Sequence, residues 1–119
     1  MSADYELEKL GNAVDALASS AKPIQKRLEY AWMAMHTLML EPMATAERNE
    51  AFLSIMERLT ADKSNSGSGY VATTTARLKD DEASAIAREI VALYSGVCHD
   101  RIYELEDELR ALKAARPQR

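Results

Sequence analysis

The last third of the chain sets the hardest constraint on its fold. From Asp80 to about Ala115 no proline interrupts the sequence, and apolar residues recur three and four positions apart. The spacing predicts a single helix of about 34 residues, roughly 50 Å long at 1.5 Å per residue. Asp80, Asp81 and Glu82 suit its N-terminus, where the helix dipole favours negative charge. Pro117 lies just past its end, and Gly96 is its one weak point. A continuous helix through Gly96 is expected.

This helix carries two apolar stripes. Ile86, Ile90, Leu93 and Val97 form the first, which stops where Asp100, Glu104 and Glu108 follow on the same line. The second is displaced by about a quarter turn and holds Val91, Tyr94, Cys98, Ile102, Leu105, Leu109 and Leu112. From Cys98 onward it steps four, three, four, three, the spacing of a coiled-coil seam. The remaining helices, at roughly 16 to 19 residues each, are long enough to cover only the first half of such a helix. Leaving a large apolar side chain in water forfeits about 1.5–3 kcal/mol relative to burial. Residues 98–115 are therefore expected to pack against a second chain, most simply another copy around a two-fold axis. The competing arrangement folds the chain back so that helix 1 covers the seam.

The rest of the sequence reads as shorter helices. Leu7, Leu10, Val14 and Leu17 give one stripe to a helix over about 3–19, with Gly11 near it. Pro23 restarts the chain as a second helix over about 23–41, which Pro42 ends. Here Ile24, Leu28, Ala31, Trp32, Met35, Leu38 and Met39 share one arc, and Met35 and Met39 read as core fillers. Tyr30, Met33, Thr37 and Leu40 lie on the opposite side, so this helix is apolar on two faces and is either central or covered by another chain. A third helix spans about 45–61, capped by Thr45, with Phe52, Ile55, Met56 and Leu59 as its stripe. Residues 62–79 read as a flexible loop around the polar run 62–69, with 70–75 as loop or helix approach. The whole is expected to be one all-α domain, a bundle of about four helices with a long C-terminal helix, dimeric through helix packing.

Composition narrows the function without naming it. At 47% hydrophobic and 29% charged the chain has enough apolar content to fold. A single cysteine excludes an internal disulfide framework, and a net charge of -4 disfavours broad coating of nucleic acid. The N-terminal residues have neither a basic start nor an apolar run, and the stretch from Tyr30 to Leu40 is far short of a membrane span. A cytoplasmic location is expected, with no membrane partner.

No catalytic residue, metal site or cofactor is indicated. His36 and His99 lack the Glu three positions before them that di-iron bundles use. Cys98, His99 and Asp100 are adjacent, so their side chains diverge by about 100° per step and do not converge on one atom. Lys22, Lys26 and Arg27, and again Arg110, Lys113, Arg116 and Arg119, form small basic clusters, but the acidic balance of the third helix argues against a recognition helix. The function expected is non-enzymatic and regulatory: a homodimer that binds a partner protein through Tyr30, Met33, Thr37 and Leu40 and occludes it. An anti-activator sequestering a transcription factor is the most concrete form. The alternatives are a small-molecule sensor or enzyme with a pocket between helices near Trp32, Met35, His36 and Tyr94, and a DNA-binding regulator.

Overall fold

A computed structural model of the protein describes residues 2–64 and 69–117. Five α-helices and one 3-10 helix make up its regular structure, and no strand occurs among the described residues. The helices are α1 (Ala3–Ser19), α2 (Ile24–Met35), α3 (Ala46–Leu59), α4 (Tyr70–Arg77) and α5 (Asp80–Ala114), with the 3-10 helix (His36–Leu40) continuing α2. The extents are 69 × 28 × 19 Å, the long dimension following from the 35 residues of α5.

Local chemistry sets most boundaries. The Ser2 hydroxyl accepts from the Tyr5 backbone N–H to cap α1, and the Thr45 hydroxyl accepts from that of Arg48 to cap α3. At the head of α5 the Glu82 carboxylate accepts from the Lys79 backbone N–H at 3.0 Å. The Arg27 guanidinium reaches back to donate to the Lys22 carbonyl in the turn and to the Leu17 carbonyl, an acceptor that the end of α1 leaves open.

The helices run up and down. Tyr5, near the start of α1, donates its hydroxyl proton to Thr37 past the end of α2. Gln25, at the start of α2, donates to the Leu78 carbonyl and to Asp80 at the start of α5. Arg58 makes a two-pronged ion pair with Glu89 at 2.5 and 2.7 Å, and Arg48 pairs with Asp100, which sets α3 antiparallel to α5. The Arg58 hydrogen bond holds the Glu89 carboxyl below its ordinary range. Between the helices lies one core: Leu10, Ala13 and Leu17; Leu28, Ala31, Met35 and Leu38; Phe52, Ile55, Met56 and Leu59; Ala83, Ile86, Ile90, Leu93 and Val97. The first stripe of α5 is thus wholly buried, and α5 passes through Gly96 unbroken.

Three expectations are corrected. The chain has a fifth α-helix, because residues 70–77, read as part of a flexible 62–79 loop, form α4. Threonine is a weak helix former, yet Thr73, Thr74 and Thr75 are buried against the bundle. Thr75 returns its hydroxyl to the Val71 carbonyl, and Thr74 accepts from the Asp62 backbone N–H. Residues 65–68 of the expected loop lie outside the described residues. Second, the helix expected over 23–41 rewinds at His36 into 3-10 geometry. That geometry turns about 120° per residue instead of 100°. Over four residues the difference swings Met39 out of the core arc, and it is 53% exposed. Third, the core contains an ion pair that periodicity did not foresee. Glu6 is completely buried; it accepts from Arg48 at 3.0 Å and from the Ala44 backbone N–H at 3.0 Å.

Arg48→Ala is expected to destabilise the fold by about 3 kcal/mol or more in urea unfolding, since it leaves the Glu6 charge buried without its cation. Asp100→Ala, which removes an exposed partner of the same arginine, is expected to remove less than ~1 kcal/mol.

Candidate interaction surfaces

Beyond Val97 the burial of α5 ends. Cys98 and Arg101 are half-buried, and every residue from Ile102 through the last turn is exposed. The seam residues Ile102, Leu105, Leu109 and Leu112 are 51%, 46%, 53% and 68% exposed. Two ion pairs mark the place where the helix leaves the bundle. Asp100 pairs with Arg48, and Arg101 pairs with Asp4 in the first turn of α1 at 3.2 Å. α1 runs antiparallel to α5 from there, placing Gly11 against Tyr94 and Val14 and Leu17 near Val91. A Cβ at Gly11 would stand 3.5 Å from the Tyr94 ring, an ordinary contact, so no close helix crossing depends on that glycine.

The seven residues assigned to the seam therefore divide into two groups. Tyr94 and Cys98 are half-buried, Tyr94 against Gly11 in the middle of α1. A hydrogen bond with Cys98 raises the Tyr94 hydroxyl above its ordinary range. Val91, 45% exposed, edges a groove of about 630 Å³ between α1 and α5, which Leu17 and Ile24 also line and Arg27 and Arg88 flank. Ile102, Leu105, Leu109 and Leu112 stand free of the bundle. Helix 1 covers the upper part of the stripe but does not fold over the distal part.

The second expected surface is also divided. Met33 and Leu40 are 55% and 81% exposed, whereas Tyr30 and Thr37 are half-buried. Leu40 stands between two hollows. Ser2, Tyr5 and Thr37 line one; Met39, Pro42, Asn49 and Leu53 line the other. Met39 and Leu53, the latter 45% exposed, thus add apolar area that the sequence reading did not assign. The signal for Met39 was hidden by the 3-10 rewinding, and Leu53 by its place beside the core residue Phe52.

The residues weighed for chemistry are apart or occupied. Met35 is fully buried, Trp32 stacks on His36 with ring centroids 5.1 Å apart, and Tyr94 lies against α1. His36 Nδ1 is 2.8 Å from the Met33 carbonyl oxygen. Among the described residues no three His, Cys, Asp or Glu side chains gather where they could hold a metal ion. Of the basic clusters, Lys26 pairs with Glu29, Arg27 with backbone carbonyls and Arg110 with Asp107; Arg119 lies outside the described residues. No described helix is long and apolar enough to cross a membrane. The chain matches no protein-family model, no curated protein and no solved structure.

Gly96 has nothing within 4 Å of where a Cβ would sit. Gly96→Ala is expected to raise the melting temperature by a few degrees, through up to ~1 kcal/mol of added helix propensity. Calorimetry of the variant checks that space and the continuity of α5.

Proposed function

We propose that this chain is a non-enzymatic, regulatory protein-binding module that works as a homodimer and occludes a surface of a partner protein. The observation that carries the reading is the exposed seam of distal α5. Four large aliphatic side chains at coiled-coil spacing project from a helix that the described bundle does not cover. With each about half exposed, roughly half of the ~1.5–3 kcal/mol available per side chain is still to be gained. That is several kcal/mol per copy in favour of pairing, against which the entropy cost of association works.

The exposed apolar residues Met33, Met39, Leu40 and Leu53 support the second half of the proposal. Met39, Leu40 and Leu53 line one hollow, and the two methionines are flexible, polarizable side chains suited to repacking against a partner. An anti-activator that sequesters a transcription factor in the cytoplasm is the most concrete form of this function: the module would mask the apolar surface its target uses elsewhere.

Leu105→Glu with Leu109→Glu is expected to turn a dimer into a monomer in size-exclusion chromatography with light scattering, while the helical circular dichroism signal stays. A wild-type chain that elutes as a monomer would remove the basis of the seam reading. Met33→Asp is expected to leave folding and dimerisation intact while abolishing capture of the native partner, identified by pull-down from the native cell; capture undiminished by this change would remove the patch from the proposal.

A further inference from the structure

We infer that the distal seam takes the same segment of a second copy in antiparallel orientation, with Leu105 of each copy opposite Leu109 of the other and Ile102 opposite Leu112. This deepens the homodimer reading above and rests on it.

The first ground is the continuity of one face. On α5, Tyr94, Arg101, Leu105 and Leu112 fall within about 40° of one another at 100° per residue. Tyr94 and Arg101 are the positions that touch α1, at Gly11 and Asp4. The seam is therefore the continuation of the face that α1 covers, and it is open from Ile102 onward. A parallel partner helix would rise along the same face toward Cys98, into the volume that the first turns of α1 fill. The two α5 helices would have to splay apart within about one turn, leaving contact only at their tips. An antiparallel partner meets no such obstacle. Its tip ends near Arg101, where α1 begins, and its own α1 begins where this copy's tip ends. The open window then holds four apolar layers.

The second ground is charge. The tip carries Lys113 in the last turn of α5 and Arg116 just past it, both exposed. In the antiparallel arrangement these reach the edge of α1 that borders α5. That edge carries Asp4, 76% exposed, and Glu8 one turn on, also exposed. Basic tip therefore meets acidic edge at both ends of the pair. The flanks of the seam favour the other orientation. A parallel pair would set Arg101 near Glu106 and Glu108 near Lys113, whereas the antiparallel pair sets each of these glutamates near its own copy. Solvent-exposed pairs of this kind are weak beside a buried leucine layer, and neither offsets overlap with α1.

Engineered cysteines test the register. On a Cys98→Ser background, with folding checked by circular dichroism, Leu105→Cys and Leu109→Cys are prepared separately and oxidised mildly at concentrations where the protein sediments as a dimer. A disulfide needs Cα atoms within about 7 Å, and like positions in this register are offset by about one helical turn. Mixing the two variants is expected to give at least tenfold more cross-linked product than either alone. Efficient cross-linking of Leu105→Cys by itself would overturn the inference in favour of a parallel pair. A dimer that cross-links in no combination would overturn it too, and in both cases the homodimer reading stands. A chain that is monomeric at every concentration would end both.

Discussion

The fold is governed by a mismatch of length. α5 has 35 residues, and the helices that pack on it have at most 17. A bundle with one element twice as long as its neighbours can bury only part of that element. Three ion pairs mark that limit. Arg48 binds buried Glu6 on α1 and Asp100 on α5, and Arg101 on α5 binds Asp4 on α1. The ion pairs sit where apolar burial ends, at Val97, and where the exposed seam begins, at Ile102. The position at which the helix leaves the bundle is thus marked by charge, and a shift of one residue there would turn the seam by about 100°.

Much of this was legible from periodicity. The stripe from Ile86 to Val97 lies on the half of α5 that the shorter helices are long enough to cover, and all four of its members are buried. The displacement of the second stripe gave the change of face after Val97. Caps at Thr45 and acidic residues at the head of α5 marked helix starts correctly, since capping is a local interaction.

What escaped was non-local. α4 was missed because its threonine run carries a weak helix propensity that tertiary packing overrides. The exposure of Met39 follows from a change of helical pitch that a fixed wheel does not contain. Glu6 is a first-turn acid of α1, and only the approach of Arg48, 42 residues away, makes its burial tolerable. The division of the seam at Arg101 likewise depends on where α1 begins relative to α5, which no single stripe records.

The proposed function rests on that same division: above Arg101, Tyr94 and Cys98 are half-buried, and below it the stripe from Ile102 to Leu112 is exposed. Sedimentation equilibrium of the wild-type chain over a wide concentration range tests this most directly. The account predicts a reversible rise from 13.2 kDa toward twice that mass as concentration increases. A mass that stays at 13.2 kDa throughout would contradict it.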